Sequence, residues 1–407
     1  MMKILIASCT YPSKEYPHQG TFVASWANQL KQCGADIRVF KRDHLSSATF
    51  LTDRKRVQAF YRYPSQYQYI WEDIHVHRQG IRFWLPLDYS KTSAKTTYRK
   101  IAPTIRRIQR EFPFDILYLA TWGDLSLALS RIAKEMNVPY VASAIGDHTN
   151  NYYNRPGTLY YAYHKEIFEN SEFVICVSRD MERKVQILTN NTANTFAFYS
   201  GVDTRKFFPS QDTRRTLRRS MGYHHDDRVV LFVGRLSQAK GVYELLDAFT
   251  RLNKDIVNVK LLLIGAADNG RRINETIQRC GLQEKARWIG AVNHTDIAGY
   301  MNAADIFVLP SWNEGLPNVI MEACACKVPV LASNVGGIPE IITDAETGYL
   351  FEPGNVTALK GKLEMMLTNP AAAAGVAESA YARVLSTFNY QKNGTILYEK
   401  MSALCSA

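Results

Sequence analysis

No run of about 18 consecutive apolar residues occurs in this sequence, so it offers no segment that could cross a bilayer as a helix. The apolar stretch in its opening Met1-Met2-Lys3-Ile4-Leu5-Ile6-Ala7 is too short for a secretory leader, and a cytosolic protein is expected. The cysteines (Cys9, Cys33, Cys176, Cys280, Cys324, Cys326, Cys405) are odd in number, and no C-x-x-C pair occurs. Most sit in apolar runs, where a free thiol behaves as a small hydrophobe. This argues against a disulfide framework or structural zinc and suits a reducing compartment. Apart from residues 371–374 there is no low-complexity tract, and no repeat has a solenoid period. Neither an Asp-x-Asp nor a His/Asp/Glu cluster with ligand spacing is present, so no metal site and no cofactor is expected. The chain is basic, with a formal charge of +11. No helix-turn-helix, RRM or zinc-finger pattern accompanies that charge, which argues against a nucleic-acid partner.

What is present is a long, ordinary globular sequence. At 407 residues it exceeds a single core and implies two or three domains. The charge is uneven: residues 1–200 carry 26 Lys+Arg against 17 Asp+Glu, and residues 201–407 carry 23 against 21. The first half should therefore meet something acidic.

Short apolar runs alternate with helical spacing throughout. Strands are predicted at residues 3–8, 37–40, 116–120, 140–144 and 173–177, with helices such as 22–33 and 125–136 between them. The pattern restarts after the turn-rich link Ser200-Gly201-Val202-Asp203 and Phe207-Phe208-Pro209, with strands at 229–233, 260–264, 286–289, 306–309 and 328–332. The expected fold is α/β, with two doubly wound, Rossmann-like domains facing across a cleft, at residues 1–200 and 201–385. Residues 386–407 form a closing helix expected to pack back on the first domain.

Two loops carry the chemistry. The strand at 229–233 ends in Gly234-Arg235-Leu236, and Lys240-Gly241 opens the next helix. A glycine turn leading to a helix start presents free N–H groups and positive potential, so Arg235 and Lys240 could hold one diphosphate or form a solvated loop. After the strand at 306–309 comes Ser311-Trp312-Asn313-Glu314-Gly315-Leu316-Pro317-Asn318-Val319-Ile320-Met321-Glu322, with Pro317 suited to a first helical turn. Glu322 lies among small and apolar residues, and a semi-buried carboxylate needs partners. Sugar or ribose hydroxyls would serve; so would a neighbouring cation.

The E-x7-E spacing of Glu314 and Glu322 resembles the signature of retaining glycosyltransferases of the GT-B fold, family 4. Gly234-Arg235-Leu236 with Lys240-Gly241, Ala304-Asp305-Ile306 through Pro310-Ser311, and Gly336-Gly337-Ile338-Pro339-Glu340 agree with it. Tyr11-Pro12-Ser13 through Gly20-Thr21-Phe22-Val23 is similar to members that build bacterial surface polysaccharides, and Gly201-Val202-Asp203 to the family's interdomain link. The likeness spans nearly the whole chain, is most specific over 230–350, and covers 41–115 poorly.

The resemblance implies roles. Arg235 and Lys240 would hold the diphosphate of a nucleotide-sugar donor, Glu314 would contact donor-sugar hydroxyls, and Glu322 would bind the ribose. Gly234, Gly315, Leu316, Asn318 and Val319 would line the phosphate site, and Gly20 would let the first domain approach it. Family members often carry a His-Gly pair where this chain has Ile145-Gly146-Asp147-His148; either His148 or Asp147 takes that role, or it is absent. Lys327 stands where a glycine usually ends the helix; at φ > 0 it would cost about 1 kcal/mol.

Lys91, Lys95, Arg99, Arg106 and Arg110 share one side of a helical wheel, beside Tyr98, Ile101, Ile105, Ile108 and Phe112. They form either the solvated face of a packed helix or a docking face for anionic lipid. Tyrosines between 152 and 163 could stack on acceptor sugar or pack at the domain surface. The leading expectation is a sugar transfer, from a UDP-sugar to a saccharide or lipid-linked saccharide acceptor, at the cytoplasmic face of the membrane. Its alternatives are a non-catalytic partner subunit and a nucleotide-sugar 2-epimerase.

Overall fold

A computed structural model describes residues 1–46, 54–62, 64–83, 91–146, 157–256 and 258–405. The chain divides into two compact units, one built from residues 1–198 and 391 onward, the other from Tyr199–Tyr390.

The first unit holds an eight-stranded sheet of β1 (Lys3–Ser8), β2 (Asp36–Ser46), β3 (Gln66–Trp71), β4 (Ile74–Phe83), β5 (Ile116–Leu119), β6 (Tyr140–Ala144), β7 (Val174–Cys176) and β8 (Thr195–Ala197), ordered β3-β4-β2-β1-β5-β6-β7-β8. Every pairing is parallel except β3 with β4, a hairpin closed by Glu72-Asp73 at φ 47° and 59°. Two-residue hairpin loops need positive φ and favour Asn-Gly, so Glu-Asp gave no signal in the sequence. Tertiary contacts hold this turn instead: Asn28 donates to the Glu72 carboxylate, and Lys31 Nζ to the carbonyl of Asp73 at 3.1 Å.

The helix Lys91–Glu111 runs through Pro103, with Ile101, Ile105 and Ile108 fully buried and Lys95, Arg99 and Arg110 exposed. Arg106 is committed to Glu135 at 2.8 Å, and Tyr98 donates to the same carboxylate. Tyr160 and Tyr163 are buried in the packing of this unit, and the Tyr161 hydroxyl donates to the carbonyl of Leu188. These three tyrosines therefore follow the packing reading; Tyr152 and Tyr153 lie outside the described residues.

The second unit holds β9 (Arg228–Val233), β10 (Val259–Ile264), β11 (Ala286–Trp288), β12 (Ile306–Leu309), β13 (Val330–Ser333) and β14 (Tyr349–Phe351), all parallel and ordered β11-β10-β9-β12-β13-β14. This is the 3-2-1-4-5-6 order of a dinucleotide-type fold. Strands buried on both faces read as near-continuous apolar runs, and all of β9 except Arg228 is buried. Lys327 takes φ 56°, as its position after the helix Asn318–Ala325 suggested; its ammonium pairs with Glu378 at 2.8 Å and lies 4.8 Å over the Tyr381 ring.

The return to the first unit comes at 391, later than the 386 read from the sequence. The helix Pro370–Thr387 and the buried Phe388, 5.1 Å from the Tyr199 ring, still belong to the second core. The closing helix Tyr390–Ser402 buries Leu397 and Met401, and sets Lys400 4.9 Å from the Phe173 ring of the first unit.

His77 in β4 is buried with neither ring nitrogen hydrogen-bonded. Burial, then the nearby Arg38 charge, lowers its pKa to about 4. A histidine with a depressed native pKa stays neutral when folded but gains a proton on unfolding below about pH 6.5. Stability should therefore be whole above pH 6.5 and fall, by up to about 1.4 kcal/mol per pH unit, down to pH 4. His77→Met should flatten that slope in melts recorded from pH 7.5 to 4.5; an unchanged slope would assign it to other groups.

Candidate functional site

The strand order of the second unit reverses between β9 and β12, so the loops that follow these two strands leave at one end and turn to opposite faces. Those loops are the ones singled out from sequence. Lys240 Nζ, on the first, donates to Glu314 Oε1 on the second at 2.7 Å, across 74 residues of chain. The Ser311 hydroxyl donates to the same oxygen at 2.7 Å. Glu314 is 7% exposed, and the cation beside it is what makes a carboxylate tolerable at that depth.

The backbone draws these loops together. The N–H of Trp312 donates to the Ala239 carbonyl at 2.9 Å, and its indole to Glu244 at 3.2 Å. Gly241, at φ 68°, starts the helix Val242–Leu252, where a Cβ would stand 1.9 Å from the Pro310 carbonyl oxygen. No side chain caps this helix or the helix Asn318–Ala325, so both present first-turn N–H groups. A third loop, after β13, braces the second: Gly337 N–H donates to the Gly315 carbonyl at 3.0 Å, and a Cβ on Gly336 (φ 54°) would lie 2.0 Å from the Glu314 carbonyl oxygen.

Arg235 and Lys240 were expected to hold one anion together, and the structure gives them separate acids. Arg235 is exposed and its Nε lies 2.5 Å from Asp268, on the loop after β10. Glu322 is buried on the helix Asn318–Ala325; its Oε1 lies 2.9 Å from His294 Nε2, while its Oε2 has no hydrogen-bond partner. Asn318 accepts from the Ser200 hydroxyl at 3.2 Å, and Leu316 and Val319 are partly buried against the core. Gly234 ends β9, with its N–H donating to the Ile264 carbonyl. In the first unit Gly20 (φ 67°) begins the helix Thr21–Gln32, hard against Thr10. Asp147 and His148 lie outside the described residues.

Sequence reasoning missed Ser311 and His294 as partners of the two glutamates, and Gly336 as their brace. The first was legible as the hydroxyl three residues before Glu314. His294 carried no signal, because it sits in an unremarkable helix start 28 residues from Glu322. Among the described residues no three His, Cys, Asp or Glu side chains group as metal ligands, and no helix is long and apolar enough to cross a membrane.

Gly336→Ala forces a side chain into left-handed backbone and against Glu314, and should destabilise the second unit by at least about 1 kcal/mol. Gly375→Ala, in open space within the helix Pro370–Thr387, should instead stabilise by about 0.5–1 kcal/mol. Thermal melts of the two variants check both signs.

Residues 213–383 match the family described as glycosyl transferases group 1, and residues 19–189 match the glycosyl transferase 4-like domain. TuaC of Bacillus subtilis (strain 168), a candidate glycosyltransferase of teichuronic acid biosynthesis, is 25% identical over 98% of this chain and 98% of its own. Sucrose-phosphate synthase of Thermosynechococcus elongatus shares the fold over 100% of both chains, with a TM-score of 0.79 at 20% identity. Anabaena Alr3699/HepE, solved in complex with UDP-glucose, does so over 99% of this chain and 100% of its own, with a TM-score of 0.73 at 19% identity. The two matched families together take in most of the chain, and their shared fold is the one described above: this chain belongs to the GT-B glycosyltransferases.

Proposed function

We propose that this glycosyltransferase moves a sugar from a UDP-sugar to a lipid-linked saccharide, with retained anomeric configuration and without a divalent metal, in polysaccharide biosynthesis. The observation that carries the reading is the meeting of Lys240, Ser311 and Glu314 at the strand-order reversal, beside two uncapped helix starts. The E-x7-E spacing supports retention; TuaC's teichuronic acid assignment supports a polysaccharide product; and the UDP-glucose held by the Anabaena protein supports the donor.

An ammonium has three N–H donors, and Lys240 gives one to Glu314, so two remain for a phosphate. As the glycosidic bond breaks, negative charge grows on the departing diphosphate. A fixed cation and helix N-termini stabilise that state more than the bound donor, which is where catalysis is gained. Arg235 would join by exchanging Asp268 for phosphate, an exchange its exposure permits. Glu314, held by Lys240 and Ser311, would accept from hydroxyls of the transferred sugar, and Glu322 from the ribose.

The exposed Lys95, Arg99 and Arg110 would hold the enzyme at an anionic membrane, where its lipid-linked acceptor resides. Each basic residue near such a surface contributes about 1 kcal/mol.

Two experiments test this reading. Lys240→Ala should lower turnover about 10²–10³-fold per folded molecule, while EDTA leaves the wild type active. Loss of activity in EDTA with recovery in Mg²⁺ or Mn²⁺ would transfer the leaving-group role to a metal. For the membrane, binding to phosphatidylserine vesicles should fall between 0.1 M and 1 M salt, as the Debye length shrinks from about 10 Å to 3 Å, and fall further on Lys95→Glu/Arg99→Glu. Equal binding to neutral phosphatidylcholine vesicles would sink the idea.

A further inference from the structure

The Glu322 carboxylate is a buried group with an unfinished set of partners. The residue is 5% exposed; Oε2 is out of contact with solvent and has no hydrogen-bond partner, and Oε1 has His294 Nε2 at 2.9 Å. Among the described residues no hydrogen bond reaches Oε2. The Cys326 thiol lies close enough to feel the charge, and burial followed by that charge pushes its pKa up to about 12. Asn302, 3.8 Å from Cys326 Sγ, directs its amide to the carbonyls of Phe208 and Ala298 at 3.0 and 2.8 Å. A buried carboxylate that loses its last donor pays a desolvation penalty large enough to neutralise it or turn it away.

His294 is therefore the side chain that fixes the direction of this carboxylate on the protein side. It is the first residue of the helix His294–Ala303, its side chain is 44% exposed, and the Phe207 ring packs 5.5 Å from the imidazole. The imidazole thus stands at the outer side of Glu322, steered by an aromatic neighbour, where it can hold Oε1 while a ligand approaches. We infer that His294 is a positioning residue for the nucleotide: it fixes the Glu322 carboxylate for the ribose hydroxyls of the donor, and so sets the preference for ribo- over deoxyribonucleotides. This rests on the reading of Glu322 as the ribose acceptor given above.

The test uses the full chain and whichever of UDP, GDP, ADP and CDP gives the largest thermal shift, with its 2′-deoxy and 3′-deoxy counterparts, each titrated calorimetrically. Wild type should bind the ribonucleotide about tenfold more tightly than at least one deoxy form, and Glu322→Ala should bring that ratio near one. A ratio unmoved by Glu322→Ala, or binding of none of the four, removes the donor-site reading itself, and this inference with it. With that ratio lost in Glu322→Ala, His294→Ala should weaken ribonucleotide binding about tenfold, leave binding of the discriminated deoxy form nearly unchanged, and raise donor KM more than it lowers kcat. His294→Gln, whose amide reaches the same place as Nε2, should stay within about threefold of wild type, and the double variant should bind no more weakly than Glu322→Ala alone. A His294→Ala enzyme that keeps the ribo/deoxy ratio would overturn the inference. So would one that binds the ribonucleotide more tightly, because the imidazole would then merely occupy the place of the ribose.

Discussion

The placement of β9 constrains everything else in the second unit. It is hydrogen-bonded on one side to β10, through Val230↔Leu261 and Leu231↔Leu262, and on the other to β12, through Val230↔Ile306 and Leu231↔Phe307. Crossovers between parallel strands are right-handed, so a sheet that grows in both directions from one strand sends successive helices to opposite faces. The loops on either side of the reversal are then left without a helix between them. Lys240 and Glu314 meet there, and every other feature of the site serves to keep them at that distance: the Trp312–Ala239 bond, the close approach at Gly241 and the Gly336 brace.

The acids of this unit differ in how fully the fold pairs them. Asp305 accepts from Arg214 at 2.6 Å, from Arg218 at 3.0 Å and from the N–H of Val229 at 2.7 Å, so its lone pairs are spent on pinning the helix Gln211–Ser220 to the edge of β9. Such a network stabilises by geometry and leaves nothing to offer a ligand. Glu322 is more deeply buried, with His294 on one oxygen and no partner on the other, while Lys240 and Ser311 both donate to one oxygen of Glu314. A buried acid with one oxygen unpaired, as Glu322 has, is tolerated where a ligand can complete its set.

The first unit repeats the reversal, with β1 between β2 and β5. There the polar groups at the reversal bind one another. Arg42 donates to Asp124 at 2.7 Å, Thr97 donates to the same carboxylate at 2.5 Å, and Cys9 lies 3.0 Å from the Thr121 hydroxyl. This unit carries most of the chain's basic excess, and Lys95, Arg99 and Arg110 place part of it on the outer face of a helix whose inner face is isoleucine core.

Much of this was legible in the residues. Short apolar runs located β1, β2, β5–β7 and β9–β13, because strands buried on both faces have no polar side to interrupt them, while β3, β4, β8 and β14 were not read from the sequence. Gly234-Arg235 with Lys240-Gly241, and the E-x7-E segment, marked the two loops that the structure brings together, each leading into a helix start that presents its N–H groups. Other features depended on contacts distant in sequence. The β3–β4 hairpin closes on Glu72-Asp73, which lacks the glycine that marks such a turn and is held by Asn28 and Lys31. The division of Arg235 to Asp268 and Lys240 to Glu314 depends on which loop each cation faces once β9 lies between β10 and β12. His294 and Glu322 are paired by two helices whose approach no local pattern encodes. By itself the sequence determined most of the strands and the residue types of the two loops that meet, since periodicity and turn chemistry act over a few residues. Tertiary structure alone decided which acid each cation serves and which carboxylate oxygen stays open, since a buried charge is governed by whatever the fold brings within about 3 Å of it.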